Sequence, residues 1–246
     1  MRSTMHFPYA REVTEYHTAK YGAPGQQRAK KQKLTPEQME LKNLKNKEKM
    51  CRWRLRNNFD ITDYFVTFTY AREARPPDMK IAKKHWRSLT YRLRSEFCKK
   101  GYELKWIRNI EVGTKGAWHI HAAINRIPDA DLIIRDAWRY GKVNFQIMHE
   151  KGEFRDLAAY LTKTPRTDKR LKESNYSTSR NLPIPEAKKK PLKSGSFRKI
   201  NVPKGYYLDK NSIYEGINPK TGYKYRTYTF LKIRGKPCLI RSHTST

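Results

Sequence analysis

Between residues 58 and 165 the apolar residues switch repeatedly between a spacing of two and a spacing of three and four. That switching restricts what the chain can fold into more than any other feature. Residues 64–70 (YFVTFTY) are β-branched and aromatic and predict a strand. Pro76-Pro77-Asp78 breaks the chain and caps a predicted helix with the apolar stripe Ala82, Trp86, Leu89, Leu93 and Phe97, closed by Gly101. Residues 104–112 and 117–125 predict two strands joined by Gly113-Thr114-Lys115-Gly116, a hairpin signal. Pro128-Asp129 opens a short helix through Trp138, closed by Gly141, and residues 142–148 predict another strand. A last helix is expected from about Glu153 to Lys163, stopped by Pro165.

The order β-α-β-β-α-β-α predicts an α+β fold, an antiparallel sheet with helices on one face in a ferredoxin-like or RNA-recognition-like arrangement. Charge sets the boundaries around it. Of 54 basic and 23 acidic residues, giving net +31, the segment 58–165 holds 20 and 13, whereas 1–57 holds 14 and 5 and 166–246 holds 20 and 5. The chain therefore reads as a basic helical N-terminal extension (1–57), a folded domain (58–165) and a basic, Tyr-rich C-terminal region (166–246). Within the extension, Thr35-Pro36-Glu37-Gln38 carries a helix-start signature. In the C-terminal region only residues 225–233 predict a further strand. A charge this large repels itself unless the partner is a polyanion, and nucleic acid is the default. Tyrosines among the lysines and arginines suit single strands, where rings stack on bases and cations follow phosphates. No apolar run is long enough for a membrane span. Cys51, Cys98 and Cys238 form no CxxC pair, which argues against a disulfide framework and for a reducing cytoplasm.

Three features could carry chemistry. On the strand Trp118-His119-Ile120-His121, alternation sends His119 and His121 to one face and Trp118, Ile120, Ala122 and Ile124 to the other, leaving two imidazoles side by side. Neutral imidazole ligates divalent metals, but such a pair also occurs on ordinary surfaces, and alone both readings stay open. Glu111 joins the same face only if it pairs opposite His119, which a plain four-residue loop does not allow, because that loop places Ile110 there. One carboxylate and two imidazoles suit Mn²⁺ or Mg²⁺; a glutamate salt-bridged to a neighbouring base is the alternative. On the last helix Phe154, Leu157, Ala158 and Leu161 make the buried stripe, and Asp156, Tyr160 and Lys163 fall on another face. His6, His17, His85, His149 and His243 show no chelating spacing.

Taken together, Phe65-Val66-Thr67-Phe68-Thr69-Tyr70, Trp118-His119-Ile120-His121-Ala122-Ala123-Ile124 and Tyr160-Leu161-Thr162-Lys163 resemble, in order, the motifs of HUH-type rolling-circle replication initiators. The basic lead-in from Asn46 to Phe59 resembles the phage and plasmid branch that includes the filamentous-phage gene II proteins. So does the segment Tyr176-Ser177-Thr178-Ser179-Arg180-Asn181-Leu182. The resemblance covers roughly residues 44–182. It implies metal-dependent, site-specific nicking and rejoining of single-stranded DNA at a replication origin. His119, His121 and Glu111 would hold Mn²⁺ or Mg²⁺, Tyr160 would attack to leave a 5′-phosphotyrosine, and Lys163 would position the phosphate or lower the tyrosine's pKa. No GxxxxGK[ST] loop is present, so a separate helicase and the host polymerase are expected partners, in the cytoplasm of a bacterial host. Ending a round requires a second nucleophile, from the other subunit of a homodimer, another tyrosine or water. Relaxases place the tyrosine before the histidine strand, which favours an initiator here. A transposase of a mobile element shares the order seen here, and a non-catalytic nucleic-acid-binding protein is the alternative from another class.

Overall fold

The computed structural model describes residues 1–18, 30, 33–113, 116–148, 154–163, 176–192 and 197–233. Glu153, Pro165, His149, His243, Cys238 and the middle of the 113–116 connection lie outside them. The chain forms two compact units, one from residues 34–185 and one from residues 1–33 with 186–246. These divide the chain at other points than the charge boundaries at 57/58 and 165/166.

The unit of residues 34–185 contains α1 (Pro36–Asn58), β3 (Tyr64–Thr69), α2 (Met79–Lys99), β4 (Trp106–Val112), β5 (Trp118–Ile124), α3 (Ala130–Ala137), β6 (Val143–Ile147), α4 (Arg155–Thr162) and β7 (Tyr176–Thr178). Helix α1 starts where the sequence predicts it, on a capping box in which the Thr35 hydroxyl accepts from Gln38 N and the Gln38 side chain accepts from Thr35 N. Helix α2 is capped by the Asp78 carboxylate, which accepts from Ile81 N at 2.8 Å. The five strands pair antiparallel in the order β6-β3-β5-β4-β7.

Strand alternation gives this sheet two different faces. Val66, Phe68, Ile110, Trp118, Ile120, Ala122 and Ile124 face α2 and α3, whose Trp86, Leu89, Leu93, Phe97 and Ile134 complete a core. Phe65, Ile107 and Ala123 face the other way, under Cys51, Leu55 and Phe59 of the α1 segment and Phe154, Ala158 and Leu161 of the α4 segment. The expectation of helices on one face is therefore corrected: the described helices cover both faces. The reason is compositional, since β4 and β5 each place an apolar residue on the histidine face, and Ile107 and Ala123 need cover as much as the opposite core does. At the β3–β6 edge, Gly141 is required, because a Cβ there would collide with the Thr69 carbonyl oxygen and Ala71 N.

The other unit holds β1 (Arg2–His6), β2 (Ala10–Tyr16), β8 (Lys188–Lys190), β9 (Tyr206–Ile217) and β10 (Lys224–Lys232), antiparallel in the order β8-β1-β2-β10-β9. Strand β10 matches the strand predicted over 225–233. Residues 2–16, expected within a helical extension, instead form β1 and β2, which hydrogen-bond to strands from the far end of the chain. No helix among the described residues is long and apolar enough to cross a membrane.

Candidate active site

Register builds the site. Glu111 pairs opposite His119 and Asn109 opposite His121, because Val112 pairs with Trp118 and five residues connect the strands rather than four. Gly113 N donates to the Ala117 carbonyl oxygen at 2.8 Å, closing the connection. On the other side of β5, Thr67 pairs with His121 and Thr69 with His119. The histidine face thus carries two polar rows across the sheet, Thr67–His121–Asn109 and Thr69–His119–Glu111. Beside them lies the apolar row Phe65–Ala123–Ile107.

Helix α4 lies against this face and delivers Tyr160. The chain enters the helix through Phe154 in the left-handed region (φ 49), a conformation costing an L-residue about 1–2 kcal/mol. Complete burial of the Phe154 ring holds it there. Tyr160 Oη lies 3.0 Å from His121 Nε2 and 3.3 Å from Glu111 Oε2. Its ring stands edge-on to His121 and Phe65, with centroids 5.1 and 5.9 Å away. The residue remains 38% exposed, so its hydroxyl is ordered yet reachable. Burial and the neighbouring Glu111 carboxylate push the Tyr160 hydroxyl up to about 12.

His121 is 9% exposed, and its Nδ1 lies 3.1 Å from Thr67 Oγ1. Its burial lowers the imidazole pKa; Glu111 opposes this and His119 adds to it, and the net shift is downward, toward a neutral ring. His119 lies alongside, the two ring centroids 6.1 Å apart and 28° from parallel. Lys163 does not extend the helix: α4 ends at Thr162, and Lys163 takes an extended conformation at its C-cap. The expected helical pairing of Lys163 with Tyr160 is absent for that reason, and the causes that shift the Tyr160 hydroxyl include no cation.

Two contributors went unrecognised in the sequence. Thr67 orients His121, and Asn109 Nδ2 donates to the carbonyl oxygens of Tyr160 and Lys163 at 3.4 and 3.3 Å, holding the C-terminal end of α4 to the sheet. The available signal was period two: Asn109 lies two residues before Glu111, and Thr67 is a polar residue among aromatics. Tyr176, the nearest alternative nucleophile in sequence, lies in β7, paired opposite Asn109. Burial first, and then a hydrogen bond with Cys51, raise its hydroxyl far above the ordinary value.

The donor types at Glu111, His119 and His121 fit a divalent cation, and their register places them as neighbours on one face, the reach within which cross-strand side chains meet. As the side chains stand, no group of three His, Cys, Asp or Glu among the described residues converges to hold a metal, and Tyr160 Oη stands at His121 Nε2. What separates these donors from a shared ion is side-chain torsion, not register.

Residues 63–165 match the family model described as replication-associated protein ORF2. The match supports a replication initiator family. It covers β3 through α4, and so contains Thr67, Asn109, Glu111, His119, His121 and Tyr160. Comparison with curated proteins and with solved structures gave no match.

Proposed function

We propose that this replication protein is an HUH-type nicking and rejoining endonuclease that cuts single-stranded DNA at a replication origin with Tyr160 as nucleophile. One observation carries the reading: Tyr160 Oη, His121 Nε2 and Glu111 Oε2, brought from three separate elements, lie within 3.0 to 3.4 Å of one another. The run β3-α2-β4-β5-α3-β6, with β3 and β5 central and β4 and β6 flanking, supports the ferredoxin-like arrangement that such an enzyme requires.

In this reading His119, His121 and Glu111 would hold Mn²⁺ or Mg²⁺, which supplies Lewis-acid polarisation of the scissile phosphate. Thr67 fixes the His121 tautomer: with Nδ1–H donating to Thr67 Oγ1, Nε2 presents its lone pair to the site. A hydroxyl near 12 stays protonated at neutral pH, so the proton must leave Tyr160 as the bond to phosphorus forms. Glu111 Oε2 is the acceptor that hydroxyl already faces. The new Oη–P bond replaces the P–O3′ bond, the 3′ oxygen takes up a proton, and the 5′-phosphate stays on the protein. Attack by a 3′-hydroxyl reverses the exchange with no nucleotide cofactor. Lys163 is exposed at the end of α4, and its ammonium would balance phosphate charge rather than tune the phenol.

Incubating the full chain with single-stranded DNA from its replicon and Mn²⁺, then resolving the products on a denaturing gel, tests the proposal. A protein–DNA adduct that is absent with EDTA is the expected result. Metal-independent binding without any adduct would favour a non-catalytic nucleic-acid-binding protein.

A further inference from the structure

The unit built from both ends of the chain carries a groove of about 680 Å³ on one face of its sheet. Antiparallel pairing sets Lys190 beside Arg2 and Lys188 beside Thr4, so both lysines share the groove face while Lys189 points away. Arg11, Arg198 and Lys199 add three more cations from β2 and the segment before β9. Among the described residues the only carboxylate lining it, Glu15, is 1% exposed and already engaged by Arg226, Arg2 and the Tyr228 hydroxyl. Its charge stiffens the floor and leaves the rim cations uncompensated by any other described lining acid. Burial, with Arg11 and Lys188 nearby, also lowers the pKa of His6 in the groove wall.

We infer that this groove is a second binding surface for single-stranded DNA, one that grips the phosphodiester backbone without regard to sequence. The inference rests on the proposed function only in taking DNA as the polyanion. Lys188 and Lys190, two residues apart on a strand, are separated by about 7 Å, comparable with the phosphate repeat of a stretched single strand. Arginine and aromatic groups alternate in the same unit. Arg11 lies over the Tyr206 ring at 4.3 Å, Arg226 over Phe197 at 5.2 Å, and His17 stacks on Phe197 at 5.6 Å. Bases unstacked from a duplex can use such surfaces; paired bases cannot. The plainer reading is that β8 is an edge strand, and lysines there only discourage strand addition. That reading accounts for Lys188 to Lys190 but not for Arg2, Arg11, Arg198 and Lys199 converging on the same groove.

The test is fluorescence anisotropy on a labelled 30-nucleotide oligo(dT), in EDTA, across a salt series. It compares the full chain with Lys188→Ala/Lys190→Ala/Arg198→Ala/Lys199→Ala and with a control lacking four cations outside the groove, Lys210→Ala/Lys220→Ala/Lys224→Ala/Lys232→Ala. Each backbone cation contributes about 0.7 to the slope of log affinity against log salt on a single strand. The groove variant should lose about 3 from that slope and bind more than about tenfold more weakly at 0.15 M salt; the control should lose little. If the fourfold chain does not fold, the doubles Lys188→Ala/Lys190→Ala and Arg198→Ala/Lys199→Ala should each show half the slope change. Equal losses in groove variant and control, or wild-type binding by the groove variant, would overturn the inference, as would tighter binding of a duplex through the same residues. Adduct formation is scored separately. Groove-dependent binding with no adduct sinks the nicking reading alone, and adducts with groove-independent binding sink the groove alone.

Discussion

Tyr160→Phe separates the chemistry from the fold. The substitution keeps a ring edge-on to Phe65 and His121 and removes only Oη, with its contacts to His121 Nε2 at 3.0 Å and Glu111 Oε2 at 3.3 Å. A net hydrogen bond of this kind is worth about 1 kcal/mol, and water can replace it because the site is open. The melting temperature of the unit should therefore move by no more than about 2–4 °C. Single-stranded DNA affinity should be unchanged, and no adduct should form. The hydroxyl also occupies the nitrogen that a metal would use. Its loss should leave Mn²⁺ affinity intact or raise it up to about fivefold, the equivalent of that 1 kcal/mol. Three measurements on one preparation decide the matter: a thermal melt, a Mn²⁺ titration, and a denaturing gel with peptide mapping of the wild-type adduct. Adduct at wild-type yield from Tyr160→Phe, or DNA recovered on Tyr176, would refute the nucleophile. A tenfold loss of Mn²⁺ affinity would refute the view that Oη competes for His121 Nε2.

Thr67→Val removes the partner of His121 Nδ1 and should cut nicking by about 10–100-fold while raising the Mn²⁺ needed for half-maximal rate; an unchanged Mn²⁺ requirement would show that Thr67 does not position the ring. Glu111→Gln keeps the side-chain shape but removes the charge, so nicking should fail at limiting Mn²⁺ and recover in part at excess, and normal nicking at limiting Mn²⁺ would place the third ligand elsewhere. Glu15→Gln in the terminal unit leaves the buried Arg226 guanidinium without its counter-ion, at a cost of about 3–5 kcal/mol. Burial works to raise the Glu15 pKa, but hydrogen bonds from Arg226 and Arg2 outweigh it and hold the carboxyl below its usual range. Its contribution is thus complete above about pH 4.3, the unfolded value, and is lost as pH falls through the lower folded one. Hydrogen exchange of β2 and β10 amides, corrected for intrinsic rates, should show that acid sensitivity in the wild type and not in the variant.

The parts of the fold legible in the sequence are those fixed by neighbours a few residues apart. Periods of two and of three and four placed β3, α2, β4, β5, α3, β6 and α4 in order, and alternation put His119 and His121 on one face. The register of Glu111 was left open because it turns on one residue in the 113–117 connection, and an unpaired strand pattern does not count loop residues. The cover over the histidine face was illegible for another reason: Ile107 and Ala123 are apolar on a face read as polar from its histidines alone. Residues 2–16 were hardest. Their alternation is diluted by Arg2, Arg11, Glu12 and Glu15, and the charges that disguise the strand are neutralised in part by Arg226, 211 residues away.

The position of the site follows from where apolar cover stops. Helices α1 and α4 bury the row Phe65–Ala123–Ile107, and α4 ends at Thr162. The next two rows change from apolar to polar, so a longer buried stripe would have nothing to bury. Tyr160 stands in that final turn, two residues from the helix end, and reaches across the boundary to His121 and Glu111. Asn109 belongs to the first polar row and binds the carbonyl oxygens of Tyr160 and Lys163, so the row that supplies the histidine also fixes the helix end that carries the tyrosine. A one-residue slip of β4 would turn Asn109 and Glu111 to the opposite face together. The same pairing that brings the carboxylate to the histidines therefore sets the reach of the hydroxyl.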